Sequence, residues 1–320
     1  NGIRDLIVTG VQTCALPIYY ALKKPCYTFA SKVERKLIRA LPPLYKNPQY
    51  LAQINDRQWG LENHQADLVK AEYDVIFVED IHLLPFALTI KNNSKIILDA
   101  REYYPQEIGN NLVWKIFESG YRKELCQKYL PQCDQILTVS PNLQKLYENN
   151  FNLKTSLFMS LPDYVDITPT EEKKRDHTKM VHHGLANPDR GLECMIEIFE
   201  TLDDRYSLDF YLKGSPKYIE KLKAMSSHSP RIRFCDPVPF EQINTMLSSY
   251  DIGLYLLQPT GMNTKFALSN KLFEFIQARL AVVTCPSPDM AAIIHKYECV
   301  FTADSFKPQD TAELLNKLSY

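Results

Sequence analysis

The sequence predicts an α/β fold of two domains, each built on a parallel, doubly wound sheet, the first of them incomplete. Three observations lead there. Short apolar runs alternate with helical patterns from about residue 74 to 146. A stretch around 161–177 then breaks the alternation with Pro, Thr and the charge run Glu171-Glu172-Lys173-Lys174-Arg175-Asp176. Beyond it the alternation restarts, and 320 residues suit two domains of ordinary size.

The first eighteen residues stand apart. Gly2-Ile3-Arg4-Asp5, two residues, then Val8 through Ile18 resemble the conceptual translation of a widely used sequencing adapter. They are expected to be an artefact and are set aside from fold reasoning. On that reading the true N-terminus is lost.

The first domain is expected over 19–165. Helical patterns cover Phe29–Leu41 and Tyr50–Lys70, with Pro42-Pro43 between them. In the first, apolar residues at helical spacing leave a basic opposite face from Arg35, Lys36 and Arg39. That face either meets water or touches anionic lipid headgroups. Asp74–Val78 reads as a buried strand, His82–Ile90 as a short helix and Lys95–Asp99 as the next strand. A polar loop from Arg101 leads to a helix over Leu112–Tyr129. Gln135–Val139 is a strand, and Ser140-Pro141 opens another helix. Ligands of such sheets lie outside the carboxyl ends of the strands. That rule selects Glu79-Asp80, Asp99 to Glu102, and Ser140.

A linker is placed at 166–178 and the second domain at 179–320. Lys179–Gly184 is a strand ending in glycine, and its loop leads to Arg190-Gly191-Leu192-Glu193 at a helix start. A strand, a turn and a basic helix start suit a diphosphate. His182 and His183 read as satisfied strand-end histidines. Ser207–Leu212, Arg231–Cys235 and Ile252–Leu256 are further strands, with a helix over Glu241–Leu247. After a polar loop, Ser269 or Asn270 caps a helix whose core face is Leu272, Phe273 and Ile276. The start of that helix gathers free N–H groups, and Glu274 lies about one turn in, within reach of a hydroxyl-bearing ligand. A capped surface helix with a solvated Glu is the alternative. Ala281–Thr284 and Cys299–Phe301 are later strands, and Thr311–Leu318 is helical.

Composition excludes several classes. A net charge of −1 gives no global case for nucleic acid. No apolar run approaches a membrane span. The eight Cys are scattered without a C-x-x-C pair, which argues against zinc and a disulfide framework and for reduced thiols. Ten Gly, with no G-x-G-x-x-G and no Walker pattern, argue against NAD or ATP chemistry.

The segment NKLFEF…ARLAVV resembles the donor-sugar motif of retaining glycosyltransferases with the two-domain GT-B fold, in particular family 4, or group 1. The resemblance covers about residues 70–305. It implies two Rossmann-like domains facing each other across a cleft. Glu274 matches the Glu that grips the ribose of a nucleotide-sugar. Arg279-Leu280-Ala281 replaces the usual Gly-x-Pro turn, and Phe266 stands where the fuller signature has its first Glu. HHGLANPDRGLE is similar to the family's G-x(5)-[RK]-G-x-E segment, which makes Gly184 and Arg190 diphosphate binders, with Lys271 or Lys265 as the partner cation. VEDIHLLPFAL…KIILDAREYYPQE resembles the first-domain motifs, with Asp80, His82, Leu84, Pro85, Asp99, Glu102, Tyr103 and Pro105 in register. Arg101 takes the place of a His that faces the reacting sugar. A guanidinium cannot act as a base, but it can bind a departing diphosphate or an anionic acceptor.

The resemblance implies a sugar transferred from a UDP- or GDP-sugar to a hydroxyl of a glycan or lipid-linked acceptor, with retention, no metal and no cofactor. Arg190, Gly184, Lys271, Asn270, Ser269 and Glu274 would bind the donor. Asp99, Arg101 and Glu102 would lie at the reaction centre, and Asp80 and His82 on the acceptor side. The expected setting is cytoplasmic, peripheral on the inner face of a membrane. Two other readings stay open: an epimerase of GT-B shape, and a non-catalytic nucleotide-sugar-binding subunit. The chain is expected to be a fragment at both ends.

Overall fold

The computed structural model describes residues 6–8, 18–20, 29–47, 50, 65–70, 72–109, 111–168, 177–297 and 300–318. The chain divides into two compact units. One is Asn1–Phe158 with Gly261–Asn263, and the other is Met159–Thr260 with Thr264–Tyr320. The change of unit at Phe158–Met159 thus precedes the stretch taken from composition as a linker, much of which lies outside the described residues.

In the first unit, β1 (Leu6–Val8) pairs antiparallel with β2 (Ile18–Tyr20). Short β-branched and aromatic runs take strand geometry whatever their origin. The main sheet holds β3 (Val75–Val78), β4 (Lys95–Ala100), β5 (Gln135–Thr138) and β6 (Ser156–Leu157), parallel and in chain order. Ile76, Val78, Ile96, Leu98, Ala100 and Ile136 are buried. That burial fits strands whose faces are covered by crossover helices.

Those helices are Leu84–Thr89, Leu112–Tyr129 and Pro141–Phe151. The first is shorter than the 82–90 pattern suggests. The second starts at a cap, Asn111 Oδ1 accepting from the Trp114 N–H at 2.9 Å. It is interrupted by a π-turn over Lys115–Ser119. The third has Pro at its first turn and ends on Asn152 at φ 54°, a left-handed stop that Asn tolerates. It therefore runs on to Phe151. Of the pattern over Tyr50–Lys70, only Gln65–Lys70 is a described helix, since 51–64 lie outside the described residues.

The Phe29–Ala40 helix departs from its pattern in part: Lys36 stays exposed, but Arg39 turns inward. Ile38 is buried, Arg39 Nη1 donates to Glu118 Oε1 at 2.7 Å, and the Arg39 guanidinium lies 5.0 Å above the Tyr121 ring. Val33 and Leu37 are exposed instead. Arg39 turns inward because Glu118 and Tyr121 wait for it.

The second unit is a six-stranded parallel sheet in the order β12-β11-β10-β7-β8-β9. Its strands are β7 (Thr178–Ala186), β8 (Tyr206–Gly214), β9 (Ile232–Cys235), β10 (Ile252–Tyr255), β11 (Ala281–Thr284) and β12 (Val300–Thr302). The order reverses between β7 and β10, which defines a topological switch point. β10 is buried along its whole length, and Met180, Val181, Leu208, Phe210, Val282 and Val283 join its core.

β7 does not stop at Gly184. It stays paired with β8 up to Ala186↔Gly214, with Gly184 at φ +124° inside the ladder. Glycine alone adopts that φ cheaply, so the chain can bend there without losing its partner. Beyond β7 the expected helix begins as a short 3-10 turn, Pro188–Arg190, and turns through Gly191 at φ 61° before Glu193–Glu197. Two further helices, Pro216–Met225 and Pro288–Tyr297, complete the crossovers, and Met262–Lys265 puts a turn of helix into the expected loop.

Candidate functional site

The switch point gathers side chains from β7, β10 and the Asn270–Gln277 helix. Ser269 caps that helix, its Oγ accepting the Lys271 N–H at 3.3 Å. Leu272 and Phe275 fill the core. Their neighbours Lys271 and Glu274, one turn apart, are buried as well.

A buried lysine is costly unless its charge is needed, and the surroundings show how this one fits. Its stem lies across the Cα of Gly184: a Cβ there would be 2.5 Å from Lys271 Cε. Its Nζ stands 5.4 Å from the Tyr255 ring centre, on the ring face that attracts cations. Burial first, then the charge of Arg190, lower its pKa to about 8, with Glu274 opposing them. Arg190 also acts on His182 and Tyr255, so its charge reaches the same pocket. Its loop is held by Asn187, whose Oδ1 accepts the Asp189 N–H at 3.0 Å, and by Thr260 Oγ1, which donates to the Asp189 carbonyl at 3.3 Å. Gly191 lets Gln258 pack close, since a Cβ would meet its Cγ at 2.7 Å.

The two histidines differ. His182 stacks on Tyr255, rings 6.0 Å apart at 10°, and its Nδ1 lies 2.9 Å from the Leu254 carbonyl. A carbonyl can only accept, so Nδ1 carries the proton. Burial, then the charge of Lys271, push its pKa well down, and the ring is neutral. His183 is not merely satisfied. Its Nε2 stands 3.1 Å from Glu274 Oε2, within ion-pair range but not aligned as a hydrogen bond. Its ring meets Phe275 edge-on at 5.6 Å.

These groups lie together at the switch point. Lys271 lies against Gly184 of β7 at a capped helix start, the charge of Arg190 acts on it, and Glu274 faces His183. Of the two partner cations considered from sequence, Lys271 is the one against Gly184, and Lys265 Nζ lies over Phe266 at 5.3 Å. Asn270 begins the helix beside Ser269. Tyr255 and His183 were not singled out by sequence as contributors. The only signal for either was its position at the end of a strand.

The first unit assembles its residues separately. Asp99, buried in β4, accepts from Arg101 Nε at 2.5 Å, and Arg101 Nη2 lies 3.5 Å from Glu79 Oε1. Two carboxylates therefore engage the guanidinium, which is a more occupied cation than sequence suggested. Asp80 Oδ1 accepts the His82 N–H at 3.0 Å and so closes the turn after β3. The His82 ring is buried and stacked on Tyr121 at 5.8 Å. Glu102 is exposed, and its carbonyl accepts from the Tyr147 hydroxyl at 2.6 Å. Asp80, Glu102 and Asp99 all act on the buried Tyr104, whose pKa burial raises far above the ordinary value.

No protein-family model matches the sequence, and no curated protein sequence matches it. Solved structures do. TarM of S. aureus superposes with a TM-score of 0.62 at 13% identity, covering 82% of this chain and 51% of its own. The UDP-forming α,α-trehalose-phosphate synthase of Burkholderia vietnamiensis gives 0.60 at 11%, covering 90% and 76%. HepE of Anabaena, in complex with UDP-glucose, gives 0.62 at 12%, covering 85% and 74%. All three are glycosyltransferases of the GT-B fold. At such identities the likeness shows the fold: this chain has the α/β, parallel-sheet architecture of GT-B proteins. The chain spans about half the length of TarM, 51%.

Proposed function

We propose that the protein is a retaining glycosyltransferase of the family 4 kind. It would move a sugar from a UDP- or GDP-sugar to a hydroxyl of a glycan or lipid-linked acceptor, without a metal. The observation that carries the reading is Lys271 lying across Gly184 beside a capped helix start, with the charge of Arg190 upon it. HepE was solved with UDP-glucose, and the trehalose-phosphate synthase is UDP-forming, which supports a nucleotide-sugar for this pocket.

In transfer, the bond between the anomeric carbon and the terminal phosphate oxygen breaks, and the nucleoside diphosphate leaves with the electron pair. The acceptor oxygen bonds the anomeric carbon and gives up its proton to the departing phosphate oxygen. Charge grows on the leaving diphosphate, and preorganised cations and main-chain N–H groups stabilise it there. Lys271, Arg190, Gly184 and the Ser269-Asn270 helix start would do this, and Glu274 would hold the ribose hydroxyls. Asp99, Arg101 and Glu102 are proposed for the reacting sugar, and Asp80 and His82 for shaping the acceptor side. A cytoplasmic setting with peripheral membrane contact belongs to the same proposal.

Incubating the protein with isotopically labelled UDP- and GDP-sugars tests it. Released nucleoside diphosphate with transferred or hydrolysed sugar supports the reading. An isomerised sugar would identify an epimerase, and binding without turnover a non-catalytic subunit. Arg101, engaged by Asp99 and Glu79, is the observation that favours the last of these.

A further inference from the structure

We propose that Tyr255 is a positioning residue of the nucleotide site: its ring holds the Lys271 ammonium against Gly184 and so sets the affinity for the diphosphate. The inference rests on the reading of Lys271 as the diphosphate's cation, and it adds the residue that keeps that cation in place. Lys271 is 9% exposed, and its Nζ lies over the Tyr255 ring, 5.4 Å from the centre. Among the described residues this ammonium has no ion pair and donates no hydrogen bond. Glu274, one turn on, is turned to His183 instead, 3.1 Å away. The aromatic face is therefore what the charge rests on. A ring face attracts a cation without occupying its N–H groups, so they stay available to an anion.

The ring is itself fixed. Tyr255 ends β10 and is buried. His182, from neighbouring β7, stacks on it at 6.0 Å and 10°. His182 is held in turn: its Nδ1–H donates to the Leu254 carbonyl at 2.9 Å, and its ring packs edge-to-face with Phe210 at 5.9 Å and 67°. A chain of contacts thus runs from the main chain of β10 through His182 and Tyr255 to Lys271. A lysine stem is flexible, and an ammonium fixed in advance binds an anion without first losing that freedom. An aliphatic residue at 255 would fill core space equally well but would offer a charge no face. Whether the ring or only its volume matters is what separates positioning from packing.

Calorimetric titration of UDP and of inorganic pyrophosphate into the full chain and its variants tests this. Tyr255→Met keeps much of the volume and removes the face. It should weaken both ligands by a similar factor, about tenfold, the range of a desolvated cation–π contact. Tyr255→Phe keeps the face and should bind both within about twofold of wild type. In a Lys271→Met background, Tyr255→Met should cost nothing further, whereas a merely structural role would cost the same in both backgrounds. A readout that needs no ligand and no variant at 255 is the NMR signal of lysine isotope-labelled at Cε. The Hε resonance that Lys271→Met removes should stand upfield of those of the other lysines, shifted by the Tyr255 ring. The proposal is overturned if Tyr255→Met binds as wild type does, if its loss persists undiminished without Lys271, if Tyr255→Phe loses as much as Tyr255→Met, or if that resonance is unshifted. If Lys271→Met weakens binding and Tyr255→Met does not, the transferase reading stands and this inference falls. If the wild type binds neither ligand, both fall.

Discussion

Lys271 and Gly184 are fitted to each other: a methyl group on Gly184 would stand 2.5 Å from Lys271 Cε and 2.9 Å from Nζ. The glycine is also at φ +124°, where a side chain is strained regardless of space. Gly184→Ala should therefore cost about 1–3 kcal/mol in urea unfolding and weaken nucleoside diphosphate binding as the ammonium is pushed aside. Adding Lys271→Ala should relieve the clash but not the backbone strain, so the double variant should recover only part of the loss.

Lys271 should leave a signature in pH. Its folded pKa is about 8 and its ordinary value 10.5. Between those values the unfolded chain holds a proton that the folded chain has lost, so this lysine adds stability as pH rises through that window. The gain is on the order of 3 kcal/mol. Urea midpoints for wild type and Lys271→Met at pH 7.5 and 10 isolate it, and the rise attributable to the lysine should vanish in the variant. Diphosphate affinity should run the opposite way, falling above pH 8 as the ammonium is neutralised.

Glu274 is assigned to the pentose and not to the phosphates. Glu274→Ala should weaken UDP binding by about 1.5–3 kcal/mol, the range for hydrogen bonds to charged groups. Affinity for inorganic pyrophosphate should stay level or improve, since a negative charge has gone from the pocket. Calorimetric titration with both ligands makes the comparison. Equal losses for the two would place the carboxylate elsewhere.

Away from the pocket, Arg233 clasps the buried Asp209 through Nε at 2.8 Å and Nη2 at 2.6 Å, and the Tyr250 hydroxyl donates to the same carboxylate at 2.7 Å. This ties edge strand β9 to β8. Arg233→Met strands the carboxylate. Because the arginine is 63% exposed and water can replace it in part, the expected cost is about 1–2 kcal/mol. Asp209→Asn in that background should restore some of it, as chemical denaturation would show.

Much of the second unit could be read directly. Strand β10 is an apolar run and Ser269 is a cap before an apolar-periodic helix, whereas β7 runs two residues past the Gly184 at which its pattern ends. The two that could be read depend on neighbours in sequence. What could not be read depends on partners far along the chain. His183 gains its character from Glu274, and nothing around His183 announces that carboxylate. The inward turn of Arg39 is decided by Glu118 and Tyr121, so a pattern that says basic side out fails at that residue while holding for Lys36. Arg101 looked like a free cation because Glu79 meets it only in space, and because nothing local says that Asp99, two residues back, turns onto it. The Pro216–Met225 helix was missed although Ser215-Pro216 carries the same start signal as Ser140-Pro141. Its two buried residues, Tyr218 and Leu222, make too thin a stripe among lysines to stand out.

The central claim is that Lys271 and Arg190 neutralise a nucleoside diphosphate at the β7–β10 switch point. Calorimetric titration of UDP and GDP into wild type and a Lys271→Ala, Arg190→Ala double variant addresses it most directly. The account predicts saturable binding of at least one nucleotide by the wild type. It also predicts a loss of about a hundredfold or more in the double variant, with the circular dichroism spectrum unchanged. Undiminished binding by the variant, or no binding of either nucleotide by the wild type, would contradict it.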